Sequence, residues 1–173
     1  MTEQQLSELC GSEKRAAVFV GYLSDAMARF DINTKQREAM FLAQILHESG
    51  GLQWTRELSS GKQYEGRTDL GNTEKGDGAK YKGAGLLMIT GRDNFLAASK
   101  GLFGDDRLLA NPELLTTPQF ASYSAAWWWK FHGLNEIADK GDFKTTTKII
   151  NGGLNGETDR KTYYNLAIKV IAE

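Results

Sequence analysis

Residues 46–57, which read LHESGGLQWTRE, decide how this chain folds and where its chemistry lies. An apolar, helix-like segment leads directly into Glu48. The glycine pair at Gly50 and Gly51 then ends the helix, because glycine adopts the left-handed backbone conformation that a helix C-terminus favours. A second carboxylate follows at Glu57. The stretch therefore predicts two carboxyl groups on different local structures.

Two carboxyl groups in different surroundings are what glycoside hydrolysis needs, because one must stay protonated as an acid while the other stays ionised as a base. Glu48 is the candidate acid, since partial burial and the negative end of a helix dipole both favour a neutral carboxyl. Glu57 is the candidate base, because a cationic neighbour such as Arg56 would keep it ionised. His47 and Trp54 flank the pair and are candidates for substrate contact. On sequence alone, an ordinary surface role for either glutamate is equally consistent.

The composition excludes several other classes of protein. The chain has 173 residues, of which 40% are hydrophobic, enough for one domain with a buried core. A formal net charge of −1 offers no basic excess for nucleic acid. The single cysteine, Cys10, permits no internal disulfide, which suits a reducing compartment. The N-terminus does not resemble a secretion signal, and no apolar run could span a bilayer, so we expect no stable membrane insertion.

Helical periodicity dominates the chain outside one glycine-rich segment. Asn33 is expected to cap the helix that ends at Glu48, and Thr117 to cap another with Pro118 in its first turn. A final helix lies near the C-terminus. The other apolar patterns predict helices over residues 3–30, with a break near Gly11, and over 92–103 and 143–150.

Residues 58–85 lack this periodicity and contain many glycines, which predicts loops or a short hairpin. The expected fold is therefore mainly α, in a single catalytic domain spanning residues 1–173. We assign a larger helical lobe to residues 1–57 and 86–173, and a smaller loop or hairpin lobe to residues 58–85.

Two other catalytic designs fit the residues less well. His47 and Glu48 begin like the zinc motif H-E-x-x-H, but Gly51 occupies the position of the second histidine. Cys10 lies in a polar stretch without a nucleophile motif. We therefore expect no metal and no other cofactor. The tryptophans at 127–129 fan around a helix, so one or two should be core residues and one is a candidate for the wall of a sugar-binding cleft.

Three ordered motifs resemble those of glycoside hydrolase family 19. Residues 81–95, YKGAGLLMITGRDNF, resemble the family signature Y-R-G-R-G-L-I-Q-L-T-G-R-x-N-Y. Residues 47–51, HESGG, match the end of its catalytic helix, and residues 150–153, INGG, match its third motif. The resemblance covers residues 36–165. The compact segments between the motifs, YEGR and DLGNT, resemble the phage endolysin branch of the family.

The resemblance implies a two-lobed, lysozyme-like, mainly α fold and a single-displacement, inverting mechanism without a metal. It implies that Glu48 is the general acid, that Glu57 is the base, and that the Thr90 hydroxyl helps to hold the attacking water. Roles in lining the cleft or supporting the carboxylates are implied for Tyr81, Asn94, Asn151 and Arg160.

The chain departs from the family pattern at three positions. Ala84 replaces the usual arginine, and Met88 replaces a glutamine that can bind substrate in relatives. Asn155 stands where chitinase relatives often carry another glutamate. These changes bear on sugar preference and on the charges around Glu48, but both principal carboxylates remain.

The sequence thus predicts a lysozyme-type endolysin that hydrolyses the β-1,4 glycan backbone of bacterial peptidoglycan for host cell lysis. We expect a monomer that stays in the host cytoplasm until a holin lets it reach the periplasm and cell wall. Three alternatives stay open. The first is a chitinase that cleaves GlcNAc polymers. The others are a lytic transglycosylase, which needs only one acid, and a non-catalytic module that binds the cell wall.

Overall fold

Ten α-helices dominate residues 1–171, the part of the chain that this computed structural model describes. No β-strand occurs within that range, where isolated bridges join Ala84 to Arg56 and to Ile89. No helix there is both long and apolar enough to cross a bilayer. Three short 3-10 helices lie at Lys62–Tyr64, Thr68–Leu70 and Pro112–Thr116. In chain order, α1 to α10 span Glu3–Cys10, Glu13–Arg29, Lys35–Glu48, Asp77–Lys80, Arg92–Phe103, Arg107–Ala110, Pro118–Phe131, Leu134–Asp139, Phe143–Asn151 and Glu157–Val170.

Local capping chemistry explains most of the helix boundaries. The break near Gly11 is present, and Gly11 has a φ of 69°, which separates α1 from α2. Thr117 caps α7 ahead of Pro118, as predicted, by accepting a hydrogen bond from the Phe120 N–H. The predicted cap of α3 is wrong by one residue. Thr34, not Asn33, caps this helix, because its hydroxyl accepts the orphan Arg37 N–H at 3.2 Å.

Helix α3 is buried on all sides along residues 39–46. Helix α10 packs along it, and α7, α8 and α9 also contact it. Phe41 meets the fully buried Trp129 of α7 edge to face, with ring centroids 5.5 Å apart. The central position of α3 fixes the place of its last residue, Glu48.

The glycine-rich segment folds as turns, two 3-10 helices and α4, so the alternative of a short hairpin is wrong for the described structure. Polar side-chain contacts stabilise this segment, where a hairpin would have hydrogen bonds between paired strands. The Arg92 guanidinium at the start of α5 donates two hydrogen bonds to the buried Asp77 carboxylate, at 2.8 and 2.9 Å. The Glu65 carboxylate accepts the N–H groups of Gly76 and Gly78.

A second, smaller core lies beneath this segment. It includes Phe95 and Leu108, which the sequence placed in the larger lobe. The apolar face of α5 therefore packs against the glycine-rich segment as well as against α7. Periodicity identifies an apolar face but not its partner. The buried members of this core are Tyr81, Ala84, Ile89, Phe95, Ala98, Leu108, Leu115 and Trp127.

Replacing Phe41 with alanine should lower the free energy of unfolding by about 3–5 kcal/mol, because it leaves a cavity against Trp129 in the main core. Urea denaturation followed by tryptophan fluorescence measures this change. Val18→Ala on the exposed side of α2 is the control, and it should change the same quantity by no more than about 0.5 kcal/mol. Equal effects of the two substitutions would contradict the central role of α3.

Candidate active site

Glu48 and Glu57 lie in the wall of one open pocket of about 350 Å³. One carboxylate comes from the C-terminus of α3 and the other from the extended segment that follows it. Within residues 1–171, no group of three or more His, Cys, Asp or Glu side chains is arranged to hold a metal ion. The pocket is lined by Glu48, Trp54, Arg56, Glu57, Leu58, Ser59 and Met88.

The Glu48 carboxylate is held by a buried cation. Its side chain is 21% exposed, whereas that of Arg160 on α10 is only 1% exposed, and the Arg160 Nη2 donates to Glu48 Oε1 at 2.5 Å. The sequence predicted a partly buried carboxyl here, and the structure supplies its partner. A charge-assisted hydrogen bond of this kind fixes the carboxyl group and stabilises the anion that remains after a proton is donated.

The remaining donors of Arg160 are also used. Its Nη1 donates to Gln44 Oε1 at 2.6 Å, and its Nε donates to the backbone carbonyl of Asn155 at 3.1 Å. Gln44 in turn donates to the Thr147 hydroxyl at 3.0 Å. The guanidinium therefore keeps two neutral acceptors whatever the protonation state of Glu48, which allows the buried charge to stay in place when a proton moves.

Glu57 accepts hydrogen bonds at both carboxylate oxygens. Its Oε2 accepts the Gly83 N–H at 3.0 Å, and its Oε1 accepts from Ser59, Gln63 and the Tyr64 hydroxyl. Burial acts to raise the pKa of Glu57, but the hydrogen bonds and the charge of Lys82 outweigh it, so the pKa lies below its ordinary value. Glu57 is therefore suited to remain ionised, as a base requires.

The cation predicted beside Glu57 is engaged elsewhere. Arg56 forms an ion pair with Glu113 while it lines the pocket. The ionisation of Glu57 depends instead on the hydrogen bonds from loop residues and on Lys82. The sequence missed Ser59, Gln63 and Tyr64 as partners of Glu57, because no motif or spacing marks residues of an irregular loop as neighbours of a carboxylate.

Thr90 and Asn94 are not among the residues that line the pocket. The Thr90 hydroxyl donates to the Met88 carbonyl at 2.9 Å, which leaves its oxygen able to accept a hydrogen bond from a water. The exposed Asn94 donates to the Thr90 carbonyl at 2.8 Å and so steadies this turn. Met88 lies in the pocket wall with a φ of 52°, a left-handed conformation uncommon for a side chain of this kind.

His47 and Asn151 are not among the residues that line the pocket. The His47 Nδ1 lies 2.6 Å from Asp159 Oδ2, a contact that parallels the neighbouring pair of Glu48 and Arg160 and joins α3 to α10. Asn151 ends α9, and within residues 1–171 its Nδ2 is the one buried side-chain nitrogen or oxygen without a hydrogen-bond partner.

Tyr81 does not lie on the cleft surface, so its predicted place in the cleft wall is wrong for this structure. It is fully buried, packs against Phe95 and donates its hydroxyl proton to the Leu109 carbonyl at 2.9 Å. None of the tryptophans at 127–129 lines the pocket either. Trp54, 41% exposed, is the tryptophan at the pocket. Tyrosine and tryptophan rings are found both in cores and in cleft walls, so the sequence alone does not distinguish these two locations.

Two of the three departures from the family pattern, Ala84 and Asn155, are accommodated locally. Ala84 is buried and bridges Arg56 and Ile89, so a small side chain fits between these segments. The Asn155 side chain is exposed, while its backbone carbonyl accepts from Arg160. Within the described part of the chain, Glu48 is thus the carboxylate that pairs with Arg160.

A second cavity, of about 460 Å³, lies between α2, α5 and α7. It is larger than the pocket that contains Glu48, but no carboxylate lines it. Glycoside hydrolysis needs two carboxyl groups beside the scissile bond, so the smaller pocket is the better candidate site.

Comparison with known proteins gives a consistent set of relatives. A Haemophilus influenzae protein named as a glycosyl hydrolase family 19 domain-containing protein is 32% identical over 161 residues, covering 75% of this chain and 78% of that protein. An Arabidopsis thaliana endochitinase is 36% identical over 120 residues, covering 69% of this chain and 40% of that protein. This chain therefore spans less than half the length of that plant enzyme. No protein-family model matches the chain.

Solved structures match nearly the whole chain. Chitinase C from Streptomyces griseus superposes with a TM-score of 0.78 at 25% identity, covering 99% of this chain and 76% of that one. A bacterial family 19 chitinase superposes with a TM-score of 0.76 at 23% identity, covering 98% of this chain and 94% of that one, and shows a shared fold.

Arg160→Lys should lower the free energy of unfolding by about 2–4 kcal/mol, because one ammonium group cannot satisfy the three separated acceptors of the guanidinium. Urea denaturation at neutral pH measures the change. Arg67→Lys is the matched control, since Arg67 pairs with Asp69 at an exposed site and its replacement should leave the free energy of unfolding nearly unchanged. An Arg160→Lys protein as stable as the control would show that the buried cluster is not needed for stability.

Proposed function

This chain belongs to glycoside hydrolase family 19, and we propose that it is an endolysin that hydrolyses the β-1,4 glycan backbone of bacterial peptidoglycan with inversion. The proposal is carried by one observation: Glu48 and Glu57 line the same pocket in different electrostatic surroundings. An inverting glycosidase requires two carboxyl groups, one as general acid and one as general base.

Glu48 is the proposed general acid. It would protonate the glycosidic oxygen as the bond breaks, and Arg160 would stabilise the carboxylate left behind. Gln44 and the Asn155 carbonyl support the guanidinium before and after this step. The acid therefore acts from a fixed position at the end of a buried helix.

Glu57 is the proposed general base. Its carboxylate is held ionised by the surrounding hydrogen bonds and can accept a proton from a water on the opposite face of the sugar. Thr90, with its hydroxyl proton directed to Met88, can accept a hydrogen bond from that water. Inversion requires space for this water, with the two carboxyl groups roughly 6.5–9.5 Å apart.

Peptidoglycan is the proposed polymer because the compact segments between the motifs, residues 64–67 and 69–73, resemble the phage endolysin branch. Chitin is the second candidate, because relatives and structural neighbours are named as chitinases. Both polymers present β-1,4 linked N-acetylated sugars to the same pair of carboxyl groups. We further propose that the protein acts as a monomer on the cell wall after holin-dependent release from the host cytoplasm.

Glu48→Gln should lower the rate of glycan cleavage by about 10²–10⁴-fold or more, because glutamine cannot donate the proton that the leaving oxygen needs. Turbidity loss of outer-membrane-permeabilised Gram-negative cells measures the rate, and circular dichroism checks the fold. Glu8→Gln, at an exposed position on α1, is the control and should retain full activity. Substantial lysis by a folded Glu48→Gln protein would refute the assignment.

Products from purified peptidoglycan and from chitin oligomers should separate the candidate functions. The proposal expects faster cleavage of peptidoglycan, with the α-anomer of the reducing end seen first by proton NMR because the reaction inverts the β-linkage. Faster cleavage of chitin would favour the chitinase. Anhydromuramic ends, together with full activity of Glu57→Gln, would identify a lytic transglycosylase. Sedimentation with the polymer but no soluble fragments would identify a binding module.

A further inference from the structure

Tyr64 is the most firmly held of the side chains that contact Glu57 at Oε1. Its hydroxyl donates to that oxygen at 3.0 Å from a partly buried ring, whereas Ser59 and Gln63 are exposed. Exposed donors exchange readily with water, but a donor on a fixed aromatic ring holds one direction of approach. Tyr64 lies outside the residues that line the pocket.

A buried amide fixes the backbone of Tyr64. Asn72 is fully buried, and its Nδ2 donates to the Tyr64 carbonyl at 2.9 Å. Its Oδ1 accepts the Arg92 N–H at the start of α5 at 2.9 Å. A continuous series of hydrogen bonds therefore runs from the first turn of α5, through Asn72, to Tyr64 and Glu57.

The ionisable groups around this contact favour Tyr64 as the donor. Burial, followed by the hydrogen bond to Glu57, raises the pKa of Tyr64 above its ordinary value, so the hydroxyl keeps its proton. Lys82 acts on Glu57 through its charge. Glu48 and Arg56 line the same pocket as Glu57.

We propose that Tyr64 is a positioning residue that orients the Glu57 carboxylate and contributes, with Ser59 and the Gly83 N–H, to the ionised form that accepts a proton from water. This proposal rests on the role of Glu57 as the base of the proposed hydrolase. Tyr64 acts through Glu57 and does not touch the substrate. Its loss should therefore change the pH dependence of the reaction and leave substrate binding unchanged.

Tyr64→Phe tests the proposal because it removes only the hydroxyl. The titration of the ¹³C-labelled Glu57 carboxyl, assigned with Glu57→Gln, should shift upward by roughly half a pH unit to one unit, since one of the donors to the carboxylate is lost. The acid limb of kcat/KM should shift in the same direction. At pH values below the midpoint of this limb, kcat/KM of the variant should be about three- to tenfold lower than that of the wild-type protein, with KM for a glycan oligomer unchanged.

Two further variants make the comparison specific. Tyr22→Phe removes a hydroxyl from an exposed tyrosine on α2. It should shift neither the NMR titration of Glu57 nor the acid limb of kcat/KM. Gln63→Ala removes an exposed donor to the same oxygen of Glu57 and should give a smaller shift than Tyr64→Phe, because water can replace it. An unshifted Glu57 titration in folded Tyr64→Phe, or a larger shift in Gln63→Ala, would overturn the proposal.

The failure of this proposal is distinguishable from failure of the proposed function. A wild-type protein that cleaves neither peptidoglycan nor chitin would contradict the hydrolase. The NMR titration needs no turnover and would still report whether Tyr64 controls the ionisation of Glu57. A rise in KM without a change in the pH profile would overturn the positioning role and indicate instead that Tyr64 supports the cleft.

Discussion

The position of Glu48 depends on its contact with the buried guanidinium of Arg160. A charge that is 1% exposed is stable only when its donors are satisfied, and here they reach Glu48, Gln44 and the Asn155 carbonyl. These acceptors lie on α3 and in the turn before α10. The requirement therefore fixes the two helices against each other and holds Glu48 at the edge of the core, where a half-buried carboxyl faces an open pocket.

The second carboxyl group is supported in a different way. Glu57 lies outside the helices and accepts hydrogen bonds from Ser59, Gln63, Tyr64 and a backbone N–H at Gly83, within an irregular segment. These donors favour the anion and lower the pKa of Glu57, whereas a single buried cation holds the Glu48 carboxylate. Two chemically identical side chains therefore lie in one pocket with different supports, a buried cation for Glu48 and loop hydrogen bonds for Glu57.

The departures from the family pattern affect the pocket wall more than the two carboxyl groups. Met88 places a thioether beside the site, together with the exposed Trp54 and Leu58, so this wall is largely apolar. Ala84 fills a narrow space between Arg56 and Ile89. At Asn155 a backbone carbonyl completes the contacts of Arg160, a function that does not depend on which side chain occupies the position.

The sequence by itself determined the helical class, the helix end at Glu48 and the family, because periodicity, glycine stops and ordered motifs are local signals. It did not determine the absence of a hairpin at 58–85, the burial of Tyr81 or the cap at Thr34. The family resemblance implied that Arg160 lines the cleft or supports a carboxylate, but only the tertiary structure showed that its partner is Glu48 and that Tyr64 contacts Glu57. These contacts join segments through the packing of α10 on α3 and the course of an irregular loop, and neither is encoded in the spacing of residues.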